Sequence, residues 1–291
     1  MRRWLWTGSA CLWTSAILTS GAGAAPAAPL ATTPTTEVAS SGNVRAQLSY
    51  VKVVENGFTS YRDVRLTISR DGRQVASTAP QGQPGELPWP GYAWKPGAKS
   101  VHVADVDGDH DPEVMVDLYS GGLHCCRMLW AYRWNGTAYA ADELDSGSES
   151  YAQRDLNRDG KPEWVTVDPR FEYLFTSFSG SGVPVRIFAF SGGAFVVVTP
   201  RYKSVIRTDT ARWWRLYLRG RAQHQDTRGF LAPWAADQYL LGAGAKVWPA
   251  LDTALARGDL KGPRGDRGDW PTGRAYITKL RQKLTQFGYV R

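Results

Sequence analysis

Hydrophobic and polar residues alternate through much of the first half of the chain. Apolar side chains recur at every second position from Val44 to Tyr50 and again from Val64 to Ile68. A period of two places these side chains on one face of a β-strand. Asp71-Gly72 follows the second segment and is typical of a hairpin turn. Further strand-like runs lie at 101–103, 114–116, 128–134, 164–167, 185–190 and 195–198.

The hydrophobic period changes after about residue 202. Apolar residues recur at four-residue steps from Val247 to Leu255, and at three- and four-residue steps from Ile277 to Phe287. Both patterns predict amphipathic helices, and Gly288 marks the expected end of the second. We therefore expect an α+β chain, with a β-rich domain over 44–200 and a basic helical region over 201–291.

The N-terminal segment has the pattern of an export signal. Two arginines precede an apolar stretch from Trp4 to Leu18, and small residues follow at 21–25. This order predicts a signal peptide over 1–25, followed by a flexible leader over 26–43 that has little apolar area to bury. No later stretch reaches the roughly 20 apolar residues that span a bilayer. We expect a secreted or periplasmic protein with no transmembrane segment in its mature chain.

Charge is divided unevenly between the two parts of the chain. Residues 26–200 contain 15 Lys/Arg and 20 Asp/Glu, a net charge of −5, whereas residues 201–291 contain 18 Lys/Arg and 7 Asp, a net charge of +11. The basic region either attracts the acidic one or meets an anionic partner, such as an envelope polymer. A nucleic-acid partner is the less favoured interpretation.

Two acidic segments align without gaps, and their first residues are 50 positions apart. They read Asp105-Val106-Asp107-Gly108-Asp109-His110-Asp111-Pro112-Glu113 and Asp155-Leu156-Asn157-Arg158-Asp159-Gly160-Lys161-Pro162-Glu163. Both have oxygen-bearing side chains at positions 1, 3, 5 and 9 and a proline at position 8. The repetition predicts an internal structural repeat.

Alternating carboxylates in a tight loop converge on one point and repel one another unless a cation lies between them. Ca²⁺ binds six to eight oxygen ligands, and softer metals prefer Cys or His. Position 7 would contribute its carbonyl oxygen. The alternative is a pair of ordinary acidic turns. The expected ligands are Asp105, Asp107, Asp109, Asp111 and Glu113 in the first loop, and Asp155, Asn157, Asp159, Lys161 and Glu163 in the second.

An EF-hand is excluded, because position 12 is Val116 or Thr166 rather than Glu. The shorter spacing resembles the calcium hairpins of FG-GAP/VCBS-type repeats, which occur in integrin-like β-propellers, over residues 101–118 and 151–168. Residues 119–126 also look like bacterial secreted members of that group. The resemblance implies that Ca²⁺ stiffens the β domain and that recognition occurs elsewhere. With two loops, it implies a partial or degenerate propeller-like domain rather than a full ring.

Three cysteines occur in the chain, and Cys125 and Cys126 are adjacent. An oxidising compartment favours a strained vicinal disulfide between them, because trans geometry holds their Cα atoms ~3.8 Å apart. A thiol nucleophile paired with His124 is the alternative.

No familiar catalytic motif occurs in the sequence, so we expect no enzyme. The predicted function is a secreted, calcium-stabilised binding module for an extracellular ligand. The alternatives are a hydrolase acting on envelope polysaccharide and an anionic-polymer binder that uses the basic helices. A hydrolase would need a carboxylate pair in a cleft, with candidates at Glu143, Glu149, Asp168 and Glu172.

Overall fold

The computed structural model describes residues 31–80, 89–91, 98–122, 126–262 and 270–290. Its first sheet is a meander of four antiparallel strands joined by two-residue turns. Two of these turns, Asn56-Gly57 and Asp71-Gly72, have positive φ at both positions, as a tight hairpin turn requires. The strands are β1 (Ala31–Ser41), β2 (Val44–Glu55), β3 (Phe58–Arg70) and β4 (Arg73–Thr78).

Strand β1 corrects the expectation of a flexible leader. Residues 31–41 pair with β2 without interruption, from Ala31 opposite Val54 to Ser41 opposite Val44. Most side chains of β1 remain exposed or half-buried, so apolar burial gave no signal in the sequence. Backbone hydrogen bonds to β2, together with β-branched threonines that favour extended backbone, account for the strand. The predicted signal peptide over 1–25 lies outside the described residues.

The second sheet has five strands, with β7 at its centre. Every residue from 113 to 118 of β7 is buried, because neighbouring sheets cover both of its faces. The strands are β5 (Trp89–Pro90), β6 (Val101–Ala104), β7 (Glu113–Tyr119), β8 (Arg127–Trp134) and β9 (Tyr139–Asp145).

The third sheet has four antiparallel strands in chain order. They are β10 (Ala152–Arg154), β11 (Glu163–Val167), β12 (Val185–Ser191) and β13 (Ala194–Val197). Trp164 and Phe188 of this sheet pack with Met115 and Leu129 of the second sheet. The other face of the second sheet packs on the first, where Leu48 is fully buried.

Within the described residues, four α-helices follow the sheets: α1 (Lys203–Ala222), α2 (Arg228–Leu240), α3 (Val247–Arg257) and α4 (Gly273–Gln286). Ile206 of α1 packs on the third sheet beside Ile187, which joins the helices to the β part. Leu251 and Leu284 lie in the shared helical core, as their periodicity predicts. The predicted α+β class, with antiparallel sheets and a C-terminal helical region, is confirmed.

The propeller-like arrangement is not shown. The described strands form three sheets of four, five and four strands, and these close neither a barrel nor a propeller ring. Across the described residues, no helix combines the length and hydropathy that crossing a membrane requires.

Candidate metal centre

The two acidic segments occupy the same place in two hairpins. The first connects β6 to β7, where Ala104 pairs with Glu113, and the second connects β10 to β11, where Arg154 pairs with Glu163. In both hairpins the position-9 glutamate is therefore the first residue of the second strand.

The acidic side chains of the first loop accept hydrogen bonds from its own backbone. The Asp105 carboxylate accepts from the N–H groups of Gly108 at 2.7 Å and His110 at 3.0 Å. Asp109 Oδ1 accepts from the N–H of Asp111 at 2.8 Å. These local bonds fix the tight turn, because carboxylates satisfy backbone donors that the loop would otherwise leave unpaired.

The second loop repeats this scheme at the equivalent positions. The Asp155 carboxylate accepts from the N–H groups of Arg158 at 2.6 Å and Gly160 at 3.0 Å. Asp159 Oδ1 accepts from the N–H of Lys161 at 2.9 Å. The two segments thus fold alike, and the repeat extends from sequence to hydrogen bonding.

Positions 4 and 6 have positive φ in both loops. The angles are 76° at Gly108 and 68° at His110 in the first loop, and 65° at Arg158 and 84° at Gly160 in the second. Each loop thus places one glycine and one non-glycine residue in the left-handed region. His110 therefore adopts the conformation that glycine supplies at position 6 of the second loop.

The position-9 glutamates bind the backbone at the start of each loop. Glu113 Oε2 accepts from the N–H of Val106 at 3.0 Å, and Glu163 Oε2 accepts from the N–H of Leu156 at 2.8 Å. Their second oxygens differ. Glu163 Oε1 accepts from the Tyr202 hydroxyl, whereas the buried Glu113 Oε1 has no hydrogen-bond partner.

The first loop carries concentrated negative charge. Burial, together with the charges of Asp107 and Asp109, raises the pKa of Glu113 to about 7, against the N–H of Val106. Burial also acts on Asp109, but the N–H of Asp111 and the Arg133 guanidinium outweigh it and lower the pKa of that carboxyl. Arg133 Nη2 lies 2.5 Å from Asp109 Oδ2, and Nε lies 3.3 Å from Asp107 Oδ2.

The predicted ligands converge only in part. Oxygens of Asp105, Asp107 and Asp109 lie within 4.8 Å of one another, close enough to share one cation. Carboxylate oxygens are the donors that Ca²⁺ takes, and Glu113 Oε1, which has no hydrogen-bond partner, is a further oxygen of this kind at the start of β7. Asp111, which was expected to offer its backbone carbonyl, has its side chain turned to Arg70 at 2.7 Å.

The second loop gathers fewer charges. Asn157 Nδ2 donates to Asp159 Oδ2 at 2.9 Å, so these two side chains satisfy each other. The Lys161 side chain extends from its own loop to the first one. Its Cε lies so close to Gly108 that a Cβ added to this glycine would be 2.6 Å away. The two loops are therefore neighbours in space.

The predicted disulfide cannot be followed in the structure. Cys125 lies outside the described residues, and Cys126 is the single cysteine within them, so no disulfide joins two described residues. Cys126 is buried, and its N–H donates to Ser120 Oγ at 2.5 Å.

Two of the carboxylates considered for a hydrolase, Asp168 and Glu172, have other partners. For a third, Glu143, burial and the nearby carboxylates of Asp145 and Asp142 raise the pKa. Asp168 is buried between Arg170 and Arg186, and Glu172 accepts from the Ser148 hydroxyl at 2.7 Å. Neither is paired with a second carboxyl group in these contacts.

A buried polar cluster escaped the sequence analysis. Asp117 accepts from the Tyr151 hydroxyl at 2.5 Å, and its Oδ2 lies 3.6 Å from His102 Nε2. Burial raises the pKa of Asp117 to about 7. His102 and Tyr151 also line a cavity of about 480 Å³ beside Trp164. The pairing of β6 with β7 and the packing of Tyr151, which directly precedes β10, bring these residues together, and no sequence motif signals it.

Comparisons with known proteins point to a family other than the expected one. The family model described as the sll0997 C-terminal domain matches residues 206–288, which contain all but the first three residues of the four helices. The "Probable thylakoid lumen protein sll0997" of Synechocystis sp. is 29% identical over 216 residues, which cover 72% of this chain and 60% of the relative. An "Uncharacterized protein y4bJ" of Sinorhizobium fredii is 28% identical over 151 residues, 48% of this chain and 23% of the relative.

The matched part of this chain thus spans less than two thirds of either relative. No solved structure matches. The expected membership of the FG-GAP/VCBS group is wrong, because the family match and the relatives lead elsewhere. The membership was suggested by the acidic spacing. That spacing describes the conformation of a local loop and does not by itself identify a family. In its helical region, the chain is similar to the sll0997 C-terminal domain.

Proposed function

We propose that this protein is an exported, calcium-stabilised binding module without catalytic activity. The observation that carries the proposal is the convergence of Asp105, Asp107 and Asp109, whose oxygens lie within 4.8 Å of one another above a buried glutamate. Ca²⁺ would supply charge neutralisation there, while the chain's own residues fix the loop. The name of the sll0997 relative, which refers to the thylakoid lumen, supports export from the cytoplasm.

The calcium proposal is tested by calorimetric titration with CaCl₂ and by thermal melts in CaCl₂ and in EDTA. Extracellular modules bind Ca²⁺ with Kd values of about 10⁻⁴–10⁻³ M, so about 10 mM calcium should stabilise the protein by about 1–3 kcal/mol per site. Asp105→Ala should remove part of the calcium-dependent rise in melting temperature. Asp252→Asn, an exposed change on α3, is the control. An intact protein whose melting temperature ignores calcium refutes the proposal.

The absence of catalysis is supported by Asp168 and Glu172, two of the hydrolase candidates, which contact arginines and a serine hydroxyl rather than a second carboxyl group. The test is release of soluble fragments from dye-labelled peptidoglycan and other envelope polysaccharides. We expect no release above a boiled control. Turnover that a substitution in a carboxyl pair abolishes would establish the hydrolase instead.

A second candidate function is binding of an anionic polymer through α1. Exposed basic residues follow the outer side of this helix, and its one acidic residue, Asp209, accepts hydrogen bonds from Val185 N–H and Trp213 Nε1 at the buried side. From Lys203 to Arg219 the helix extends for ~24 Å. The exposed basic side chains are Lys203, Arg207, Arg212, Arg215 and Arg219.

Binding of a linear polyphosphate, measured by fluorescence anisotropy at increasing NaCl, tests this second function. Arg207→Gln with Arg215→Gln should weaken binding and reduce its salt dependence, because fewer counterions are then released. Arg62→Gln with Arg65→Gln on β3 changes the net charge equally and is the matched control. Equal losses in the two double variants would show that only net charge matters, and α1 would lose its role.

A further inference from the structure

The Arg133 side chain lies where the carboxylates of the first loop converge. Its guanidinium approaches Asp109 at 2.5 Å, Asp107 at 3.3 Å and Glu113 Oε1 at 3.8 Å. The last distance is too long for a hydrogen bond, and Glu113 Oε1 has no other hydrogen-bond partner although the residue is fully buried. The guanidinium therefore offsets part of the negative charge of the cluster but leaves one buried oxygen without a hydrogen bond.

The Arg133 side chain is flanked by protein on one side and exposed to solvent on the other. A Cβ on Gly193, in the turn between β12 and β13, would lie 3.4 Å from Arg133 Cδ, so the turn flanks the arginine's aliphatic part. The Arg133 side chain is nevertheless 30% exposed. Rotation about its terminal bonds would carry the guanidinium into solvent without disturbing the strand.

A divalent ion and this guanidinium need the same oxygens. Asp107 Oδ2 and Asp109 Oδ2 are the atoms that contact Arg133, and their residues belong to the converging set. Two positive centres a few ångströms apart repel each other, in proportion to the product of their charges. In the second loop the neutral Tyr202 hydroxyl binds Glu163 Oε1, and no arginine among the described residues forms the corresponding ion pair.

From this geometry, and resting on the proposed calcium binding, we infer that Arg133 is a built-in competitor that calcium must displace from the first loop. The ion binds only the fraction of molecules in which the guanidinium has turned away. The apparent affinity of the first loop is lowered by that fraction. Arg133 thus sets the calcium concentration at which the loop responds, and it stabilises the loop when calcium is scarce.

The test isolates the first loop by using Asp159→Asn as the parent protein, which weakens the second loop. Calcium titration by calorimetry then compares this parent with the same protein carrying Arg133→Gln. If the guanidinium is turned away in roughly a tenth of molecules, the variant should bind calcium about tenfold more tightly. Its melting temperature should be lower than the parent's in EDTA and should rise further with calcium.

Two further variants secure the interpretation. Arg133→Lys keeps a positive charge and should give an intermediate affinity, and it supplies the comparison if the glutamine variant folds poorly. Arg65→Gln removes a remote exposed charge from β3 and should leave calcium affinity unchanged. Equal calcium affinities with and without Arg133 overturn the inference, while calcium binding by the intact protein would still support the proposed function. If the intact protein binds no calcium either, both proposals fail.

Discussion

Replacing Asp237 by asparagine should remove a strong pH dependence of stability. Asp237 lies on α2 and is fully buried. Burial, followed by the charge of the neighbouring Asp209 carboxyl on α1, raises the pKa of Asp237 to about 9, and neither side-chain oxygen of Asp237 has a hydrogen-bond partner among the described residues. The folded protein therefore holds a proton at neutral pH that the unfolded chain has released.

The sign and the size of the effect follow from that proton. Between the unfolded pKa of 3.8 and the folded pKa of about 9, the folded state binds one proton more. Stability must therefore fall as pH rises through this range, by about 1.4 kcal/mol per pH unit, and level off above it. Asparagine mimics the protonated acid, and its amide can donate to Asp209. From pH 6 to pH 8, Asp237→Asn should gain about 2–3 kcal/mol relative to the original protein.

Urea titrations followed by circular dichroism, at one-unit steps from pH 5 to pH 9, measure the difference. Titrating groups that do not interact with Asp237 are common to both proteins and cancel when the two free energies of unfolding are subtracted, so the difference reports on Asp237 together with its neighbour Asp209. Asp252→Asn replaces an exposed carboxylate on α3 and should leave the pH profile parallel to that of the original protein. Parallel profiles for Asp237→Asn would refute the claim that Asp237 is protonated in the folded state.

Two glycine substitutions test the backbone geometry by the same urea method. Gly229→Ala should destabilise the protein by about 3 kcal/mol or more, because its Cβ would lie 1.9 Å from the Gly180 carbonyl oxygen; an unchanged midpoint would contradict this close approach. Gly108→Ala and Gly160→Ala should each cost about 1–2 kcal/mol, because both positions have positive φ. Lys161, the neighbour of Gly108, has a flexible end that can move aside, so a much larger loss at Gly108 alone would be unexpected.

The sequence predicted those strands and helices that have one buried apolar face and one exposed polar face. Alternation identified β2 and β3, and four-residue spacing identified α3 and α4. It missed β1, whose side chains are mostly outside the core, because hydrogen bonds to β2 rather than burial define that strand. It also missed α1, where arginines interrupt the apolar spacing and a buried face is formed by few residues.

The candidate site also has a part that the sequence predicts and a part that it does not. Its backbone could be predicted, because the repeated positions of Asp105 and Asp155 prescribe local hydrogen bonds within each loop. The side chains that set its charge could not. Arg133, Lys161 and Tyr202 reach the loops from other strands or segments, and only the packing of the sheets brings them there.

Through these partners, which are distant in sequence, the two loops contact several different elements of the fold. Arg70 of the first sheet binds Asp111, and Lys161 of the loop between β10 and β11 reaches the first loop. Tyr202, directly before α1, binds Glu163 at the base of the second loop. An ordinary acidic turn on the surface would not be expected to contact three sheets and the start of a helix. Because these contacts cross between elements, a cation that tightens either loop would act on their packing, and we expect its effect on global melting rather than on one hairpin.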